Sequence, residues 1–230
     1  MRFVDLKREG YLFGKIPINL YKEIDAEIQE LLDTSFDGAE TFADRLAGAL
    51  EHEYLLRKSH VAMEEFINSV AGEYFKNTMW FDPIGKKLNL DRYWCNFQKK
   101  NEYNPIHNHR GHLSFVIWHK IPYDAAEEAR VPNRRQINGN ALDMFQFVYP
   151  DAHAKGGVNN HNLQIDKSFE GMFALFANDL QHIVYPFYTS DDWRISLSGN
   201  LTVRDKKNEI IRYVGRSKKA MTEVTRTRQG

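Results

Sequence analysis

The stretch Tyr103 to Lys120, Tyr-Asn-Pro-Ile-His-Asn-His-Arg-Gly-His-Leu-Ser-Phe-Val-Ile-Trp-His-Lys, decides how this chain is read. His107 and His109 stand two residues apart, so in an extended segment both imidazoles leave one face and converge on a point. That is the spacing of metal ligands. His112, at an odd separation, falls on the opposite face of a regular strand and is the reserve candidate. Toward the C-terminus, His182 follows the apolar run Met172 to Ala177 and a turn signal at Asn178-Asp179, which places it at a strand end. Farther on, Arg194, Ser196, Ser198 and Asn200 alternate with Ile195, Leu197 and Leu201. A polar stripe of this kind facing inward is a binding wall.

Toward the N-terminus the period changes. Leu88 to Lys99 is rich in aromatic and β-favouring residues, with Trp94, Asn96 and Gln98 on one face and Tyr93, Cys95 and Phe97 on the other. Short strands are also predicted over Leu113–Ile121, Leu142–Tyr149, Leu163–Ile165, Met172–Ala177, His182–Tyr185 and Trp193–Val203. Upstream, Tyr11 to Ile18 reads as an entry strand. Leu20, Ile24, Ile28 and Leu31 or Leu32 recur at helical spacing behind Asn19 as N-cap. A turn at Asp37-Gly38 precedes a short helix through Leu46 and Leu50, and Ser59 is placed to cap a longer one using Met63, Phe66, Val70 and Tyr74. Helices followed by many strands give an α+β chain with an antiparallel barrel or sandwich rather than a βαβ sheet. The polar segments 124–140 and 150–162 read as loops over the mouth of that barrel, where substrate is selected. His153 and His161, in the second, are candidates to touch it; His52, His60 and His119 are ordinary polar residues.

Composition bounds the rest. With 230 residues and 42% hydrophobic content the chain can bury a sizeable core, so one domain over 1–203 is expected, helical over about 1–80 and β-rich over about 87–203. Lys plus Arg and Asp plus Glu both number 31, so no overall charge favours nucleic acid or an anionic membrane surface. The single cysteine, Cys95, excludes an internal disulfide framework and fits a reducing compartment. No run approaches the roughly 18 apolar residues of a membrane helix, and the cytoplasm is the expected location. From Arg204 the chain is rich in Lys and Arg and loses hydrophobic content after Gly215, giving a basic extension over 204–230. It is expected to be solvated, with a nucleic-acid or protein partner as the lesser alternative.

The pattern His107-x-His109, Leu113-Ser114-Phe115-Val116-Ile117-Trp118, Leu175-Phe176, His182-x-Val184-x-Pro186 and Arg194-Ile-Ser196-Leu-Ser-x-Asn200 resembles the iron(II)/2-oxoglutarate-dependent oxygenases. The nearest branch is a group of short proteins of bacteria and bacteriophages, with a motif of His-x-His, Ser-Gly-x-Tyr-Tyr, a distal His and Arg-x-Ser. Leu46-Ala47-Gly48 and Glu53-Tyr54 resemble that group's N-terminal region, so the likeness spans Leu46 to Val203. Phe115, Ile117 and Trp118 depart from the Gly and the two Tyr of the middle motif.

The resemblance implies a double-stranded β-helix, a jelly-roll or cupin-like barrel, buttressed by N-terminal helices. It also implies Fe(II) held by His107, His109 and His182, with O2 and 2-oxoglutarate as co-substrates and hydroxylation of an unidentified substrate as the outcome. The usual set is two His and one carboxylate, and here His109 stands where the carboxylate is expected. Arg194, with Ser196, would hold the distal carboxylate of 2-oxoglutarate, since a guanidinium offers two parallel donors. Asn96, Gln98, Ser114 and Trp118 are the further candidates for the co-substrate wall. Two other readings stand beside this one: a non-catalytic cupin-like metal-binding or interaction module, and a three-His dioxygenase of the thiol type that uses no keto acid.

Overall fold

The computed structural model describes residues 1–5, 10–41, 50–78, 87–132 and 144–204. The chain opens with strands β1 (Arg2–Asp5) and β2 (Gly10–Lys15), helix α1 (Ile18–Asp33), strand β3 (His52–Leu55) and helix α2 (His60–Asn77). Then come β4 (Lys87–Gln98), β5 (Asn104–His107), β6 (Leu113–Lys120), a one-turn helix α3 (Ala125–Glu128), β7 (Met144–Pro150), β8 (Val158–Gln164), β9 (Met172–Ala177), β10 (Gln181–Val184) and β11 (Arg194–Arg204). Two antiparallel sheets result, one of seven strands in the order β1-β2-β9-β6-β11-β4-β3 and one of four in the order β5-β10-β7-β8. The sheets do not close into one hydrogen-bonded barrel; the arrangement is the jelly-roll of a double-stranded β-helix.

The period-2 alternation on β4 explains the layering. Tyr93, Cys95 and Phe97 join Ile117, Phe173, Leu175 and Leu197 in a core covered by Leu20, Ile24 and Ile28 of α1 and Met63, Ile67 and Tyr74 of α2. On the other face, Val116, Trp118, Ala174 and Phe176 meet Phe145 and Phe147 of the small sheet. Each large apolar side chain buried in this way stabilises by about 1.5–3 kcal/mol. With two cores, the sheet tolerates a polar patch at one end of its inner face.

The N-terminal third differs from expectation in detail. It contributes three strands to the large sheet besides its helices, because β1, β2 and β3 extend both edges. Asn19 lies inside α1, which starts after Pro17 without a side-chain cap; proline suits an entry where no N–H is needed. Ser59 does precede α2 but makes no cap bond. Its hydroxyl instead donates to the carboxylate of Glu27 on α1 at 2.6 Å. That buried carboxylate also accepts the backbone N–H groups of Arg57, Lys58 and Ser59, binding the entry of α2 to α1.

The strand expected at Leu163–Ile165 begins earlier, inside the segment 150–162 read as a mouth loop: 158–164 forms β8, whose burial alternates residue by residue on an edge strand. Polar Asn and His suited to a solvated edge had disguised it. Asn104–His107 also pairs as a strand despite Pro105, again at an edge. The segment after Tyr123 begins as α3, capped by Asp124, whose Oδ1 accepts from Ala126 N and Glu127 N. The helix through Leu46, Trp80, residues 133–143 and the basic extension from 205 lie outside the described residues. No helix of the described residues is long and apolar enough to cross a membrane.

Glu27→Ala removes the acceptor of four donors at once, two of them buried, so it is expected to lower unfolding free energy by about 2–4 kcal/mol. Glu27→Gln, which keeps one carbonyl acceptor, is expected to cost less, and urea unfolding of both variants checks the order.

Candidate functional site

β5 and β10 lie side by side in the small sheet with His107 directly opposite His182. His109 lies just beyond the end of β5, and its convergence is fixed differently. Its backbone N–H donates to Asn178 O at 2.9 Å, while Asn178 Nδ2 donates back to His109 O at 3.1 Å. The predicted turn at Asn178-Asp179 thus clamps the loop carrying the second imidazole. Gly111 completes the clamp. Its φ of +103° favours glycine, and a Cβ there would lie 2.8 Å from the Leu201 carbonyl oxygen.

The three rings offer ligand nitrogens all within 4.8 Å of one another. His107 Nδ1 bonds the Pro105 carbonyl at 2.7 Å and His182 Nδ1 the Leu180 carbonyl at 3.1 Å. Both bonds require the proton on Nδ1 and leave Nε2 as a bare lone pair. His182 Nε2 and His109 Nε2 face each other at 3.1 Å. Two ring nitrogens at that distance share a proton or look toward a common cation. Burial pushes the basicity of all three down: His109 to about 3, with neighbouring His107 adding to the effect, His107 below its ordinary value, and His182 well below. Neutral imidazole is the ligating form, so the donor set fits a borderline divalent metal ion such as iron(II). His112 is elsewhere, accepting from Val203 N at 3.2 Å. Asp179 is exposed and outside the group. Among the described residues the cluster is therefore all imidazole, and the Phe145 ring stacked on His182 at 5.2 Å and 17° shields it.

The rings open into a cavity of about 500 Å³, whose far wall includes Asn96, Gln98, Arg194, Ser196, Ser198 and Asn200. Arg194 and Gln98 are opposite one another in the β11–β4 ladder, as are Ser196 and Asn96. Arg194 is 4% exposed. Gln98 Oε1 takes hydrogen bonds from its Nε at 3.1 Å and Nη2 at 2.7 Å, the Tyr185 carbonyl one from Nη2 at 2.6 Å, and the Tyr123 hydroxyl a longer one from Nη1 at 3.3 Å. Of the five guanidinium donors, one Nη1–H remains. No carboxylate pairs with Arg194 among the described residues. Asp191, the nearby acid that would have made it a surface ion pair, is bonded to Lys100.

The other predicted wall residues divide. Asn96 accepts from Trp94 Nε1 at 3.0 Å and donates to Ser196 O at 3.3 Å and Ser198 Oγ at 3.3 Å. It braces Ser196, whose hydroxyl is 3.4 Å away. Gln98 orients Arg194 rather than an imidazole. Trp118 lines the cavity floor beside Phe145. Ser114 stands behind the wall, its hydroxyl donating to Asn200 Oδ1 at 3.2 Å. His161 Nε2 is bonded to the Tyr11 hydroxyl, and neither it nor His153 is among the cavity residues. Tyr123, Tyr185 and Glu53 were missed; the carbonyl and hydroxyl that hold Arg194 carry no sequence signal, and Glu53 carried only its place in the motif.

A family model described as putative 2OG-Fe(II) oxygenase matches residues 92–200. That segment holds the three imidazoles, Arg194 and Ser196. No curated protein matches the chain. Among solved structures, a prolyl-4-hydroxylase from Pseudomonas putida is similar at TM-score 0.52 and 13% identity, covering 86% of this chain and 94% of the other. The non-heme alpha ketoglutarate-dependent epimerase SnoN from nogalamycin biosynthesis is similar at 0.54 and 13%, covering 87% and 80%. AviO1 from Streptomyces viridochromogenes Tue57 gives 0.50 and 11%, covering 85% and 90%. At such identities the likeness establishes the fold.

Unfolded histidines titrate near 6.5, whereas these rings resist protonation while folded. Above pH 6.5 the triad is neutral in both states. Below it the unfolded chain gains protons the folded one refuses, so metal-free protein is expected to lose stability as pH falls from about 6.5 toward 3. Thermal unfolding across that range checks this, with His109→Gln giving a shallower decline.

Proposed function

We propose that this chain belongs to the 2OG-Fe(II) oxygenases, whose family model matches residues 92–200, and is an active dioxygenase that hydroxylates a C–H bond of its substrate while 2-oxoglutarate is decarboxylated to succinate. Iron(II) and 2-oxoglutarate are the cofactors that this family takes. In this reading His107, His109 and His182 hold the iron, and their Nδ1 or backbone bonds keep the three lone pairs aimed at one point. The bound iron supplies the activation of O2, one oxygen atom entering succinate as CO2 leaves and the other entering the substrate.

Arg194 binds the distal carboxylate of 2-oxoglutarate. It is the observation that carries the proposal, because a buried guanidinium met only by neutral acceptors is a cation prepared for an anion that the described residues do not supply. Gln98 and the Tyr185 carbonyl hold it in one rotamer, and Ser196 adds a hydroxyl on the same strand. Phe145, Phe176 and Trp118 keep water from the reacting end. A three-His dioxygenase without a keto acid would use Arg194 only for a carboxylate of its own substrate, so binding of 2-oxoglutarate to the iron complex separates the two readings.

Anaerobic addition of Fe(II) and 2-oxoglutarate is expected to produce the weak visible charge-transfer band of the chelate. Arg194→Ala is expected to weaken 2-oxoglutarate binding by about 100-fold, in line with loss of a buried charge pair, while iron still binds. His182→Ala is expected to abolish iron binding itself. A band indifferent to Arg194→Ala would remove Arg194 from the co-substrate site, and no band in the unsubstituted protein would favour the keto-acid-free alternative.

A further inference from the structure

Among the described residues three glutamates are nearly or wholly buried, and two have evident structural work. Glu27 accepts four donors at the entry of α2. Glu128 accepts Tyr188 N, Thr189 N and Thr189 Oγ1 on Oε1, and although its Oε2 has no partner it does not border the cavity. Glu53 differs. It is 1% exposed, makes no hydrogen bond or ion pair with any described residue, and its Oε1 is fully buried without a partner. It borders the same cavity as the imidazoles and Arg194.

Its direction is built in. Glu53 lies opposite Asn96 in the β3–β4 ladder, and Asn96 lies opposite Ser196, so the three share the inner face in one row across the sheet. On the outer face of β3, the Phe36 ring stacks on Tyr54 at 4.7 Å and 12° and on His52 at 5.1 Å and 27°. Phe36 adopts φ +65°, a conformation that a bulky residue pays for only when its packing repays the strain. Turning Glu53 outward would throw both rings inward, because a one-residue slip exchanges the two faces of a strand.

An unmatched buried carboxyl costs stability and offers the fold nothing in return. A second acceptor in the cavity wall is equally orphaned: Asn104 Oδ1, at the start of β5 in the small sheet. Two acceptors without donors, on opposite sheets of one cavity, call for a ligand rich in N–H groups. The cations that also border the cavity, Arg92 and Arg110, are exposed, and Arg194 is held by Gln98.

We propose that Glu53, with Asn104, recognises a cationic nitrogen of the primary substrate, an ammonium or guanidinium group, and so sets the substrate class as amines and guanidines. That such a compound is then oxidised rests on the dioxygenase reading; that it binds does not. Burial, with the Glu102 carboxylate adding to it, raises Glu53 to about 8. At neutral pH it is therefore mostly protonated in the free protein, and a cation that pairs with it expels the proton. Residues 92–200, which the family model matches, do not include Glu53.

Titration calorimetry of the full chain at pH 7, with butylammonium and butylguanidinium as probes and butan-1-ol and butylurea as uncharged controls, tests this. It is run on metal-free protein and on the anaerobic Fe(II)/2-oxoglutarate complex, in two buffers of different ionisation enthalpy. The cations are expected to bind at least about tenfold more tightly than the controls, releasing about one proton. The near-isosteric Glu53→Gln is expected to lose both the preference and the proton release while keeping the charge-transfer band. Equal binding of cations and controls, no binding of any probe, or cation binding unchanged in Glu53→Gln overturns the proposal. A missing band in the unsubstituted protein would instead overturn the iron assignment, and the metal-free titration would still decide Glu53.

Discussion

A guanidinium taken out of water with no carboxylate beside it costs several kcal/mol unless neutral acceptors and packing offset the loss, and the inner face of this sheet is arranged around meeting that requirement. Gln98, the residue opposite Arg194 in the ladder, gives two of its bonds, and the carbonyl of Tyr185 gives a third. The faces of Phe187 and Tyr123 lie 5.2 and 5.9 Å from Cζ. These partners suffice to keep the charge buried and oriented. They do not neutralise it, and that remaining charge is the basis on which an anionic co-substrate is proposed for the cavity.

The same sheet separates two kinds of work by alternation. On β4, one set of side chains is apolar and closes the helix-covered core, while the next set is polar and builds the wall. A mutation that slipped this strand by one residue would put Asn96 and Gln98 against the helices and Phe97 into the cavity. Register is therefore as much a functional constraint as a structural one. The small sheet follows a different logic: short, two of its strands at edges, and carrying His107 and His182 as direct neighbours. With His107 and His182 on one sheet and Arg194 on the other, the cavity depends on how the two sheets pack, which the aromatic layer of Phe145, Phe147 and Phe176 fixes.

Buried carboxyls provide a useful contrast within the molecule. Glu27 takes donors on both oxygens and Glu128 takes three on Oε1, its Oε2 having none, so both serve as fasteners, whereas the Glu53 side chain is as buried and has no donor at all. Burial alone therefore does not separate a structural acid from a functional one. What separates them is whether the carboxyl has found any hydrogen-bond donor in the protein itself, and whether it borders the cavity.

Much of this was legible in the sequence, where a local period carries the information. The period of two placed Trp94, Asn96 and Gln98 on one face and Arg194 with Ser196 on another, and the imidazole pair two residues apart announced a converging site. Helical spacing located α1 and α2, although not their caps, because Ser59 had a better partner in Glu27 than in its own helix. Edge strand β5 and most of β8, apart from its end at Leu163, were hidden, since proline and polar residues suit an edge as well as a loop. Only the tertiary structure decided that His109 is aimed by Asn178 from a distant turn, that Tyr185 and Tyr123 hold Arg194, and that Glu53 is a buried acid without a donor. Each of those depends on contacts between segments far apart in the chain, which no local periodicity encodes.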